Sequence, residues 1–295
     1  MGRSAIALAV TLIVAGCGGS SSSTDTSRVE PSVTVTSSPT FERSVIVATN
    51  SVLQSFVKLL VGDSAEVLTV IPDGKDPHDF EPSARDISVL NSADLVVQNG
   101  LDFEHGLEDS IRAAREGGVT LWTLTDNVTL IGDDPHVFTD PLTMSGAVDS
   151  LAAAVARLDG VTVDAAAARS QLEAAGTAAR GAIAALGSGK CRLVTDHDAL
   201  AYFAARFGCT VTGVVVPSFS SSAEASPRDL EAVRKAAGNA RAIFMEEGAP
   251  GAVVGQVAEE LGIDLVELRI HALPADGSYT GYVAALAGSI AGALS

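Results

Sequence analysis

The stretch CRLVTDHDALAYFAARFGCTVTGVVV, residues 191–216, reads as strand, helix, strand. Arg192–Thr195 is a short β run, Leu200–Phe207 is amphipathic at helical spacing, and Val211–Val216 is again rich in β-branched residues. The same alternation extends outward in both directions. Further strands are expected at Val45–Ala48, Ala65–Ile71, Leu95–Gln98, Val119–Leu124, Ala242–Glu246 and Leu265–Arg269. Amphipathic helical segments lie between them at Val52–Val61, Ala84–Asn91, Phe103–Arg115, Pro227–Ala237 and Gly251–Leu261. Strands alternating with helices predict parallel α/β sheets. The alternation stops from Thr143 to about Leu186, where Ala-rich helical sequence breaks at Asp159-Gly160. Its second part, from Asp164 to Leu186, predicts one helix of roughly 34 Å at 1.5 Å per residue. The expected fold is therefore α/β, with two parallel-sheet lobes (44–142 and 188–295) joined by a helical linker, 143–187, that holds a long rigid helix.

The N-terminus carries a processing signal. Arg3 precedes an apolar run, Ala5 to Val14, followed by small residues and Cys17. This pattern predicts a secretory signal over 1–16. The run is too short for a bilayer core of about 30 Å, which needs roughly 20 residues. The cysteine at the cut resembles a bacterial lipobox, which implies diacylglycerol on Cys17; an ordinary signal peptide with a chance cysteine is the alternative. Residues 17–43, rich in Ser, Thr, Pro and Val, read as a flexible tether. The expected location is the extracytoplasmic face of the bacterial membrane.

The formal charge is -17, and removal of 1–16 takes away Arg3 and no acid. Such a surface does not suit nucleic acid, whose phosphates need Lys and Arg. Cys191 and Cys209 each open a predicted strand, one on either side of a helix. An exported compartment permits a disulfide between them; two buried thiols fit the spacing equally well.

Four of the five histidines carry the chemistry. His197 follows its strand by two residues, and His271 follows Leu265–Arg269 by two. His78 lies beyond Ala65–Ile71 through the turn Pro72-Asp73-Gly74, and His136 follows Asp133-Asp134-Pro135. In open α/β sheets, ligands bind beyond the carboxyl ends of strands. Two imidazoles from each lobe would then enclose one transition-metal ion in the interlobe cleft. Asp76, Asp79, Asp140, Asp196 and Asp198 stand beside these histidines, and ligating imidazoles commonly give their second N–H to a carboxylate. His105 reads as a surface or helix-end residue.

The segments Pro77-His78-Asp79-Phe80-Glu81-Pro82, Asp134-Pro135-His136-Val137-Phe138-Thr139-Asp140-Pro141 and His197-Asp198-Ala199, with Tyr202-Phe203, resemble the motifs of a known family. Together with Asn99-Gly100 and Asp276-Gly277-Ser278-Tyr279, they make the chain from about 44 onward resemble the zinc and manganese ABC-transporter solute-binding lipoproteins, the cluster A-I metal-binding proteins. The resemblance implies two lobes, a long connecting helix and one metal between the lobes. It places His78 and His136 on the family's two first-lobe ligands. His197 falls on the third, which is His in zinc-type members and Glu in many manganese-type ones. The fourth ligand of the family is usually Asp, and His271 stands in its place. Water, Glu246, Glu247 or Asp276 are the alternatives there.

Imidazole suits zinc and copper, whereas manganese prefers oxygen ligands. The expected cargo is Zn2+, with Mn2+ and Cu2+ as alternatives, and affinity is expected to fall as the pH drops through roughly 6.5. The chain is not expected to be an enzyme. A zinc hydrolase needs an open coordination position, and the motif His-Glu-x-x-His is absent. An adhesion lipoprotein with a structural metal is a third class. No phosphate-binding loop motif occurs, so energy would come from a partner ATPase acting with a cognate ABC permease. A metal chaperone is a further expected partner, and the protein itself is expected to be a monomer.

Overall fold

The computed structural model describes residues 43–237, 240–249 and 251–295. The expected leader, Cys17 and the tether up to residue 42 lie outside the described residues. No described helix is long and apolar enough to cross a membrane.

The first lobe runs β1 (Val45–Ala48), α1 (Ser51–Val61), β2 (Glu66–Thr69), α2 (Ala84–Asn91), β3 (Leu95–Gln98), α3 (Glu108–Glu116) and β4 (Thr120–Thr123). Two helices follow, α4 (Pro141–Val155) and α5 (Ala165–Ala184). The second lobe continues with β5 (Arg192–Thr195), α6 (Ala201–Phe207), β6 (Thr210–Val214), α7 (Pro227–Ala236), β7 (Ala242–Glu246), α8 (Ala252–Leu261) and β8 (Asp264–Leu268), and α9 (Tyr279–Leu294) comes last. Both sheets are parallel, ordered β2-β1-β3-β4 and β6-β5-β7-β8. The expected pair of parallel-sheet α/β lobes is what the chain forms. Central strands such as Leu95–Val97 and Ala242–Glu246 are buried throughout. This is why they read as unbroken apolar runs rather than alternating ones.

Local chemistry sets the helix ends. Asn50, Asp140, Asp164 and Ser278 each accept a backbone N–H at an N-terminus. Ser83/Asp86 and Ser226/Asp229 form reciprocal capping boxes. Helix α5 is shorter than expected because Asp164 is its cap and the last turn ends at Ala184; its 20 residues span about 30 Å. The segment expected as one helix from Phe103 divides into a 3-10 turn, His105–Leu107, and α3. Leu101 and Asp102 precede it in the left-handed region (φ 55 and 59).

One apolar core runs through the whole molecule. It joins Ile46, Phe56 and Val97 of the first lobe to Leu151 of α4, Leu172 and Ile183 of α5, Leu193 and Phe244 of the second sheet, and Ile290 of α9. Separate smaller cores lie under α2 and α3 and under α7 and α8. Small residues on α5 (Ala168, Ala175, Gly176, Ala179) let its neighbours approach closely, and a Cβ at Gly176 would meet Pro141 Cγ at 3.4 Å. Helix α9, which local pattern did not reveal, packs along α5 and reaches α1, where Tyr279 lies 6.3 Å from the Phe56 ring. Cys191 and Cys209 are joined by a disulfide, with Cα atoms 4.6 Å apart.

Candidate metal centre

Each histidine reaches the cleft on a short loop held by an acid. His78 lies in the 3-10 turn Pro77–Asp79 after β2, and its backbone N–H donates to Asp76 Oδ1 at 2.9 Å. Asp134 holds His136 twice: Oδ1 accepts the backbone N–H at 2.9 Å and meets ring Nδ1 at 2.8 Å. Asp196 treats His197 in the same way, at 2.6 Å from its N–H and 2.9 Å from Nδ1. The other Asp196 oxygen accepts the N–H of Glu246 at 2.7 Å. His271 follows β8 and sets Nδ1 against Glu246 Oε1. At His136 and His197 the aspartate at Nδ1 orients the ring and leaves Nε2 free to coordinate.

The four rings converge. Centroids are 5.6 Å apart for His78–His136, 6.0 Å for His78–His197, 5.8 Å for His78–His271, 5.3 Å for His136–His197 and 6.3 Å for His136–His271. All four Nε2 atoms are buried and lack a hydrogen-bond partner. Buried polar atoms are nearly always satisfied, so four orphaned nitrogens on neighbouring rings call for a ligand. Nitrogens of His78, His136 and His197 lie within 4.8 Å of one another, and Asp76, Glu246 and His271 form an adjoining set of the same tightness. Glu246 links the two sets, its Oε2 being 3.7 Å from His197 Nε2. Phe103 backs the rings, with its centroid 4.9 Å from His78, 5.6 Å from His136 and 5.2 Å from His271. Phe138 lies 5.9 Å from both His136 and His271.

Burial, reinforced by His271, lowers the His78 pKa to about 3. Burial likewise brings His271 to about 3 and takes His136 well below the ordinary value. At His197 burial acts in the same sense, but the Asp196 hydrogen bond and the charges of Asp196, Glu246 and Asp76 outweigh it, and its pKa is raised. Burial pushes Glu246 well above the usual carboxylate range, and Asp76 adds to the effect. Burial also lifts Asp134 to about 7. Three of the imidazoles are therefore neutral at pH 7, the form that coordinates metal.

Of the acids beside the histidines, Asp76 and Asp196 belong to the site. Asp79 is exposed, Asp198 is half-buried, and Asp140 caps α4 and pairs with Arg206 at 2.8 Å. Of the side chains offered as alternatives to His271, only Glu246 is there. Glu247 pairs with Arg269 at 3.2 Å, and Asp276 accepts the N–H of Ser278 at 3.0 Å. His105 is exposed and bonds Asp102 at 2.8 Å. Sequence reasoning missed Asp134 as the holder of His136; an acid two residues before the histidine, as in Asp76-Pro77-His78, was the available signal. It also missed Phe103 and the contacts across the lobes. Tyr202 Oη accepts the N–H of Ile131 at 2.8 Å and donates to the Asp134 carbonyl at 3.2 Å.

Two α/β lobes closing on a chamber lined by imidazole define a two-lobed binding protein. Residues 46–293 match the family described as zinc-uptake complex component A, periplasmic, and the chain belongs to that family of metal-binding solute-binding proteins. Over 61 residues the chain is 41% identical to the metal ABC transporter substrate-binding lipoprotein FimA of Streptococcus parasanguinis; this stretch is 21% of this chain and spans only 20% of the length of FimA. The fold is similar to that of the periplasmic zinc-binding protein TroA from Treponema pallidum, with a TM-score of 0.74, 22% identity and coverage of 86% of this chain and 100% of that one. It is also similar to the solute-binding protein FpvC of Pseudomonas aeruginosa in complex with Ni2+, with a TM-score of 0.72, 27% identity and coverage of 86% and 97%.

Proposed function

We propose that this protein captures Zn2+ outside the cytoplasmic membrane and passes it to an ABC permease driven by a partner ATPase, with Cys17 as its lipid anchor. The ligands are His78, His136, His197 and His271. The observation that carries this reading is the set of four buried Nε2 atoms without partners, two of whose rings have Nδ1 hydrogen-bonded to an aspartate. Four nitrogens in a compact array favour Zn2+ over Mn2+. Copper(II) binds such ligands at least as strongly, so selectivity for zinc over copper depends on supply. Four protein ligands leave no position for an activated water, which argues for a carrier rather than a hydrolase.

Oxygen donors at the same chamber favour a second reading. Asp76 and Glu246 adjoin the imidazoles, and with them the chamber could serve Mn2+. The FpvC relative is known in complex with Ni2+ and with Mn2+.

The test is a titration of the metal-stripped protein with Zn2+ and Mn2+ against a competing chelator, alongside His271→Ala. One tight Zn2+ per chain, weak Mn2+ and a loss of at least about 100-fold in the variant are expected for a four-nitrogen site. Tight Zn2+ that ignores the substitution would move the fourth ligand to Glu246. Absence of any tight divalent ion would end the carrier reading.

A further inference from the structure

Two of the histidine loops are held by the opposite lobe. The His136 loop belongs to the first half of the chain, yet second-lobe Tyr202 binds its Ile131 and Asp134 backbone. Arg206 of α6 pairs with Asp140 at 2.8 Å, and Tyr279 Oη donates to the Phe138 carbonyl at 2.8 Å. The His271 loop is held in turn by first-lobe groups. Its carbonyl accepts from the Gly74 N–H at 3.2 Å and the Ser51 hydroxyl at 3.3 Å, and the Leu273 N–H donates to Asp73 Oδ1 at 2.8 Å. Separating the lobes would break both sets of bonds together.

The cover is thinner beside His78, which is half-buried while the other three rings are buried. The serine-rich loop 217–222 lies over this side. A cavity of about 440 Å³ reaches His78 between Leu101, Asp102, Asp133 and Ser218–Ser220. On the other side of the loop, a cavity of about 460 Å³ reaches His197 past Ser221 and Ser222. Phe219 lines the cavity beside His78, is 38% exposed and belongs to none of the buried core clusters. Bonds within the loop and to Asp198 keep it on its own lobe. Among the described residues, one hydrogen bond ties it to the first lobe: the Ser221 hydroxyl donates to Asp76 Oδ2. The other oxygen of Asp76 accepts the N–H of His78.

We propose that the metal ion enters and leaves past His78, beneath the 217–222 loop, and that the Ser221–Asp76 hydrogen bond is the latch on this route. The proposal rests on the carrier reading above. Asp76 is then a positioning residue that couples the turn bearing His78 to the loop that covers it. Breaking the latch frees both at once and leaves the reciprocal bonds of the His136 and His271 loops intact. A latch changes how fast an ion passes, not how well the ligands hold it.

Stopped-flow kinetics on the purified protein test this, with Zn2+ for capture and an excess of chelator for loss. Ser221→Ala is expected to raise both rates about tenfold, the weight of one hydrogen bond to a charged group, with Kd changed by less than about threefold. Ser221→Thr restores the hydroxyl and is expected to return both rates towards the parent values. Tyr202→Phe, which loosens the His136 loop, is expected to speed loss and weaken Kd without speeding capture. Unchanged rates in Ser221→Ala would overturn the latch, and so would a Tyr202→Phe protein that gains in both rates as much as Ser221→Ala does. A parent protein that binds no Zn2+ would instead overturn the carrier reading itself.

Discussion

His197 is the one chamber imidazole whose pKa rises, because Asp196, Glu246 and Asp76 overcome its burial. In the metal-stripped protein it keeps its proton to above 6.5, the ordinary value, whereas His78 and His271, at about 3, are already neutral. The sign follows. Coordination must displace the His197 proton, so affinity is complete above its raised pKa and falls as the pH drops through it. The fall therefore starts above 6.5, earlier than four ordinary histidines would give. His78 and His271 add no further proton competition until the pH nears 3. Chelator competition between pH 8 and 5 should show a plateau and then, below the His197 pKa, a loss of about tenfold per pH unit, the slope of one displaced proton. A flat profile, or a slope of three protons near pH 6.5, would contradict this division of roles.

At the scale of elements, Gly100 shows how a turn after a strand aims the site. It has φ +90, and a Cβ there would run into Thr125 Oγ1 and Thr123 Cγ2. Its neighbour Asn99 donates to the Pro135 carbonyl at 2.9 Å, next to His136. Gly100→Ala should cost about 2 kcal/mol or more in urea unfolding, from both the positive φ and the clash; a change under about 0.5 kcal/mol would show that the turn yields freely. The strands were legible in sequence because buried parallel strands are short runs of branched residues. His78, His136, His197 and His271 were legible because they sit on loops beyond strands, three of them beside acids. Helix α9 was not, since its sequence is apolar almost all round and broken by Gly281, Gly288 and Gly292, which leaves little periodicity to read. The bonds from Tyr202, Arg206 and Tyr279 were also hidden. They join residues 66 to 141 positions apart, and no local pattern carries such pairings.

At the scale of the whole molecule, the packing of the described residues predicts a fold that forms without an ion. Its main core passes unbroken from the first sheet through α4, α5 and α9 to the second, and protein groups supply hydrogen bonds across the lobes. The metal-stripped protein should melt in one cooperative transition, and Zn2+ should raise the midpoint by mass action, with about 4 kcal/mol gained at a thousandfold excess over Kd. Loss of near-UV circular dichroism on chelation would point instead to a structural metal. The position of α9 also ties the chamber to the order in which the chain is made. Tyr279 closes the His136 loop from the far end of the sequence, and α9 completes the core along α5. A growing chain that has already released all four histidines still lacks the side chain that seats one of their loops. The seat of the His136 loop is thus completed only when residues 279–294 have docked, so the chamber is the last part of the molecule to take its final form.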